Sequence, residues 1–230
     1  MKHHPEPTVF NFIADFPGTQ TKQPNKNIFF NNKYSTMQTT IVIKRDGRTE
    51  QFLSDKITSR IRKLTFGLHN SVDPDLIVES IVNNLDSKIS SSDLDVRAAE
   101  TAASLRDKHP DFDILGGRIL VSKLNKETKK QFSSVIEELY KSKDKPLIAE
   151  SLYKIVQRNA DRLNSEIIYN RDFNYSYHAY KILEHSFLLK INDKVVERPQ
   201  HLILRTALGL HGEDINAAIK TYNLMSRISP

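Results

Sequence analysis

The sequence predicts a mainly α-helical protein with small β-hairpins, in two helical parts that follow a polar extension. Three observations carry that expectation. Apolar residues recur at helical spacing, as in Ile57, Ile61 and Leu64. Capping and proline signals such as Asp73-Pro74 open successive helices. Short β-branched or apolar runs flank Asp46-Gly47 and Asn192-Asp193, both of which are hairpin signals. With 230 residues, 38% of them hydrophobic and 27% charged, the chain can bury one good core or two modest ones.

Residues 1–39 are rich in Asn, Pro, Thr and Lys, and Phe10, Phe12, Phe16, Phe29 and Phe30 follow no sustained period. This stretch is therefore expected to be a disordered extension. It has no Arg and carries Glu6 and Asp15, unlike a mitochondrial transit peptide, and it lacks a secretory signal pattern. Met37 offers an alternative start just ahead of the first strand.

Thr40 to Ile43 and Thr49 to Leu53 are the expected hairpin strands, with Asp46-Gly47 as a turn whose two central positions both accept positive φ. A helix follows, with Ser54 or Asp55 as N-cap and Ile57, Ile61 and Leu64 on one stripe; Gly67 ends it. The second helix opens at Asp73-Pro74 and carries Leu76, Ile77, Ile81 and Leu85. Ser92-Asp93-Leu94-Asp95 resembles a capping box and opens a third helix to about Arg106. After His109-Pro110-Asp111, a fourth helix is expected from Phe112 toward Tyr140. The first unit thus spans 40–140, and the polar stretch 141–146 reads as a linker. Residues 147–226 read as a second helical part: Leu147 to Asn159, Tyr175 to Phe187, a hairpin over Leu188 to Val196, Pro199 to Leu210, and Glu213 to Ser226. Residues 227–230 form a tail.

The formal charge of +6 is concentrated. Seven basic residues and three acids lie between Lys44 and Lys63; five basic residues accompany Glu127 alone between Arg118 and Lys130. Such clusters suit a polyanion, or form solvated helix faces. A triphosphate needs several cations, backbone donors and groups that read the sugar or base. Lys44 and Arg45 lie on the hairpin, Lys56 in the first turn of the next helix, and Lys126 and Lys129 at i, i+3 toward the end of the fourth. Ser91 and Asp95 stand at the start of the third helix, where a hydroxyl and a carboxylate suit ribose or base.

Other chemistries find little support. The chain has no cysteine, which excludes disulfides, thiolate metal sites and thiol catalysis from it. Neither GxxxxGK[ST] nor GxGxxG occurs. His178 and His185, or His201 and His211, lack carboxylates at metal-ligand spacing. Gly116-Gly117 fits close helix packing, and Asp172, Glu184 and Glu197 fit solvated or salt-bridged carboxylates better than acid–base groups. No apolar run approaches the roughly 20 residues that span a bilayer.

The string Val42-Ile43-Lys44-Arg45-Asp46-Gly47-Arg48, with Glu50 and Asp55-Lys56-Ile57-Thr58-Ser59-Arg60-Ile61, resembles the ATP-cone of eukaryotic-type ribonucleotide reductases. The likeness continues through Leu94-Asp95, Ala98-Ala99-Glu100-Thr101, Lys108-His109-Pro110-Asp111 and Asn125-Lys126-Glu127-Thr128-Lys129-Lys130. Asp161-Arg162-Leu163-Asn164-Ser165, Arg171-Asp172-Phe173 and Glu197-Arg198-Pro199-Gln200-His201 resemble the segment that leads into that family's catalytic barrel. The resemblance implies a β-hairpin over a four-helix bundle, followed by a helical segment. It implies that ATP keeps the reductase active and dATP switches it off, with Mg2+ accompanying the nucleotide. The contacts it implies are Lys44, Arg45, Glu50, Lys56, Ile57, Ser91, Asp95, Lys126 and Lys129. It also implies homo-oligomers of the large subunit, a small radical-generating subunit as partner, and a cytoplasmic location.

The family's reductive chemistry needs cysteines, so this chain is expected to bind nucleotide without reducing ribonucleotides, as a truncated large chain. Two other readings compete: a basic helical module for nucleic acid, related to ATP-cone repressors, and an interaction protein that alters large-subunit oligomers.

Overall fold

The computed structural model describes residues 40–142 and 145–227. The expected extension at 1–39, two residues of the polar linker and most of the tail lie outside the described residues.

Strands β1 (Ile41–Ile43) and β2 (Thr49–Gln51) pair antiparallel, with Val42 opposite Glu50. The loop between them differs in detail from the expectation. Lys44 N–H donates to the Arg48 carbonyl at 2.7 Å and Gly47 N–H to the Lys44 carbonyl at 3.0 Å. Only Gly47 takes positive φ, at 83°. The connection is a three-residue loop that needs one left-handed residue instead of two.

Helix α1 (Ser54–Arg62) starts at once from extended Leu53, so Ser54 and Asp55 are already helical and neither is the N-cap. The pairing of Phe52 N–H with the Thr40 carbonyl holds the strand up to that point. Ile57 and Ile61 are buried as the stripe requires. Helix α2 (Pro74–Val82) opens as the sequence predicts, with the Asp73 carboxylate accepting from Asp75 N–H at 3.0 Å.

A third strand, β3 (Lys88–Ser90), has no counterpart among the expected elements. It lies parallel to β1, with Val42 opposite Ile89, and the sheet order is β2-β1-β3. Its last residue, Ser90, caps α3 (Ser91–Ser104), two positions ahead of the expected Ser92. The Ser90 hydroxyl accepts from Asp93 N–H at 2.9 Å and donates to the Asp93 carboxylate at 2.7 Å.

The long helix expected from Phe112 toward Tyr140 is two, α4 (Asp111–Glu127) and α5 (Phe132–Tyr140). Thr128 is extended, and its hydroxyl donates to the Leu124 carbonyl at 2.7 Å. Arg198, nearly buried, donates to the carbonyls of Asn125 at 3.2 Å and Thr128 at 3.0 Å and to the Thr128 hydroxyl at 2.9 Å. Those bonds satisfy the carbonyls that a helix end leaves open. Gly116 and Gly117 serve close packing. A Cβ on Gly117 would overlap the Tyr175 carbonyl oxygen, and one on Gly116 would lie 2.9 Å from the Ala99 carbonyl oxygen.

Beyond the linker run α6 (Glu150–Arg158), α7 (Ala160–Glu166), a 3₁₀ turn (Tyr169–Asn174), α8 (Tyr177–Ser186), β4 (Lys190–Ile191), β5 (Lys194–Val195), α9 (Pro199–His211) and α10 (Ile215–Met225). The β4–β5 hairpin turns on Asn192 and Asp193, at φ 50° and 61°, as the sequence predicts. Helix α7 and the 3₁₀ turn had no signal strong enough to place them.

Two apolar clusters hold the fold. One gathers Val42, Ile61, Ile77, Leu94, Phe112 and Leu115 with Tyr180 of α8 and Leu188. The other gathers Phe132, Ile136 and Leu139 with Val156, Leu204 and Tyr222. Helix α5 therefore packs with the second part of the chain and α8 with the first, the reverse of their grouping by sequence. Among the described residues no helix is long and apolar enough to cross a membrane.

Candidate functional site

The β1–β2 loop, α1, the start of α3 and the end of α4 converge on one carboxylate. Asp95 lies in the first turns of α3 and is 1% exposed. One of its oxygens is 3.2 Å from the Arg45 guanidinium and 3.4 Å from Lys126 Nζ; the other contacts the Arg60 guanidinium. A buried carboxylate is costly unless paired, and here three cations surround one acid. The local balance is an excess of positive charge.

Arg45 bridges to a second carboxylate. Glu127, at the end of α4, accepts from Arg45 at 3.0 Å, from the Ser92 hydroxyl at 2.9 Å and from Lys123 at 2.8 Å. Burial would raise the Glu127 pKa, but the bonds from Lys123 and Ser92 outweigh it and hold the carboxyl below its usual range. Burial draws the Lys126 ammonium below the usual lysine range, an effect Asp95 opposes and Arg60 reinforces.

At the outer edge, Glu50 of β2 pairs with Lys44 at 2.5 Å and Lys56 at 3.4 Å. The hydrogen bond from Lys44 keeps its carboxyl below the usual range. Ile57, one residue on in α1, is buried in the first core. Ser91, buried, occupies the first turn of α3 beside the Ser90 cap.

Of the nine residues singled out by sequence, Arg45, Asp95 and Lys126 are brought into direct contact, and Lys44, Glu50 and Lys56 form a second linked group. Lys129 is different. Helix α4 ends at Glu127, so Lys129 does not share a helical face with Lys126, and it pairs with Glu138 of α5 at 3.0 Å. Sequence reasoning missed Arg60, Ser92 and Glu127. Arg60 was visible within the first basic cluster, one helical turn after Lys56, and Glu127 as the lone acid of the second.

An open cleft of about 1000 Å³ adjoins Arg45, Lys126 and Glu127, walled on its far side by α8 and the β4–β5 hairpin. Among the described residues no group of three or more His, Asp or Glu is placed to hold a metal ion. Cations preorganised by the buried Asp95 and by Glu127, hydroxyls at a helix start and an adjacent cleft suit a phosphorylated ligand with a polar sugar.

Comparison with known proteins agrees with this chemistry. Residues 40–127 match the family model of the ATP cone domain, and residues 173–229 match that of the ribonucleotide reductase all-alpha domain. The chain is similar to the ribonucleoside-diphosphate reductase large subunit of Danio rerio, at 53% identity over 192 residues, which is 80% of this chain and 24% of that protein. It is also similar to the Schizosaccharomyces pombe large chain, 48% identical over 81% of this chain and 24% of the relative. With large chain 2 of Saccharomyces cerevisiae it shares 49% identity over 80% of this chain and 22% of the relative. The chain thus spans about a quarter of the length of the curated relatives it matches.

Proposed function

This chain carries an ATP cone followed by the all-alpha domain of ribonucleotide reductase large chains, and from that premise we propose that its cone is an effector site. It binds ATP as activator and dATP as inhibitor, the nucleotide carrying Mg2+ on its phosphates. The observation that supports this most is Asp95, a buried acid held by Arg45, Arg60 and Lys126.

In this reading Arg45, Lys126 and Lys44 meet the phosphates. Lys56, Glu50 and Ile57 meet the base, where Glu50 offers an acceptor for an amino group. Asp95 and Ser91 read the sugar hydroxyls; a carboxylate already tied to three cations is rigid enough to register one hydroxyl more or less. Lys129 belongs to the site through the phosphates, if it exchanges Glu138 for the ligand. Binding would redistribute the cations between the acids and the phosphates, and Arg45, shared by Asp95 and Glu127, would carry that change to the end of α4.

The same reading makes the chain part of the control of ribonucleotide reduction for DNA synthesis in the cytoplasm. Homo-oligomers of the large chain and the small radical-generating subunit are its proposed partners. Calorimetric titration with ATP and dATP in magnesium tests it. Binding of both at micromolar concentration, with Asp95→Asn narrowing the difference between them, is expected. No binding of either at high micromolar concentration would overturn the reading.

A further inference from the structure

We propose that the β4–β5 hairpin completes the phosphate end of this effector site, with Lys190 and Lys194 as phosphate contacts supplied from outside the cone. The inference rests on the effector reading and extends it to residues that lie beyond the 40–127 cone match.

A nucleoside triphosphate brings about four negative charges at neutral pH, each stabilised by a nearby cation or a hydrogen-bond donor. Arg45 and Lys126 are already shared with Asp95 and Glu127. With Lys44 shared by Glu50 and Lys129 by Glu138 as well, the outer phosphates lack unshared positive charge, and the cleft that opens from Arg45 and Lys126 supplies it. Four of its six Lys and Arg side chains pair with Asp95, Glu127 or Glu184, whereas Lys190 and Lys194 make no ion pair among the described residues. Both are exposed and line the same cleft as Arg45 and Lys126.

The hairpin is also held in place, which a contact residue requires. Leu188, just before β4, is buried in the first core, and Val195 of β5 packs against that core. Fully buried Glu197 accepts from Leu189 N–H at 3.1 Å while Arg205 clamps it at 2.7 and 3.1 Å. The two-residue turn at Asn192 and Asp193 fixes the register of the strands that carry the lysines. The hairpin therefore presents its charge to the cleft without ordering a loop, so little entropy opposes the contact.

The test is calorimetry on the full chain with ATP and with AMP. An exposed ion pair changes affinity by up to about fivefold. The Lys190→Gln/Lys194→Gln variant is therefore expected to bind ATP about tenfold more weakly than wild type, with AMP affinity unchanged. Lys220→Gln, an exposed lysine on α10, controls for net charge and is expected to bind ATP as wild type does. Unchanged ATP affinity in the double variant, or an equal loss for ATP and AMP, would overturn the proposal. Wild-type chain that binds no ATP would overturn the effector reading itself and this inference with it.

Discussion

Replacing Asp172 by asparagine should stabilise the protein at neutral pH and do so less as the pH falls. Asp172 sits in the 3₁₀ turn with no exposed surface, and among the described residues no hydrogen bond of good geometry reaches either carboxylate oxygen. Burial pushes its pKa from 3.8 up to about 7, which the nearby Gln200 amide and Arg198 charge offset only in part. Because the folded pKa is raised, the folded state holds a proton that the unfolded chain has lost. The stabilisation this gives is complete below about pH 4 and is lost as pH rises through 7. A shift of about 3 units makes the full effect about 4 kcal/mol, of which about 2.5 kcal/mol falls between pH 5 and pH 8. The asparagine side chain cannot ionise, so the difference in stability between Asp172→Asn and wild type should grow by that amount over the same interval. His201, held neutral by burial with its pKa lowered to about 3, titrates alike in both proteins and cancels. Urea denaturation followed by circular dichroism reads the difference as a midpoint shift of about 1 M between the two pH values. A midpoint difference that stays constant from pH 5 to pH 8 would refute the reasoning.

Gly117→Ala should destabilise by at least about 1–3 kcal/mol, because the added carbon meets main-chain atoms of Tyr175 and Ser176 that cannot step aside; thermal unfolding measures it. Arg198→Ala should cost about 2–3 kcal/mol in urea denaturation, since it strips three acceptors at the end of α4 of their donor. Leu139→Ala, in the second core, should cost about 2–5 kcal/mol in the same assay.

What could be read from sequence was what neighbours in the chain decide. Asp73 caps α2 with its own next turn, Asn192-Asp193 turns its own hairpin, and Gly116-Gly117 announced close approach. What could not be read depends on distant partners. Strand β3 is three residues long with one buried side chain, and only β1, more than 40 residues earlier, makes it a strand. The break between α4 and α5 is stabilised by Arg198, 70 residues beyond Thr128, so the periodicity of 112–140 gave no sign of it. The site divides the same way. Arg45, Asp95 and Lys126 stood out as residue types suited to a nucleotide, yet the web that joins them passes through Arg60, Ser92 and Glu127. Their part is visible only once α1, α3 and α4 have packed.

The central claim is that one nucleotide is held where the β1–β2 loop, the start of α3 and the end of α4 meet around Asp95. Hydrogen–deuterium exchange of the full chain, with and without saturating ATP and magnesium, tests it most directly. Slower exchange is expected in peptides covering 44–60, 91–97 and 123–127, with the second core at 150–166 unchanged. Protection confined to other segments, or none at all under conditions where ATP is bound, would contradict it.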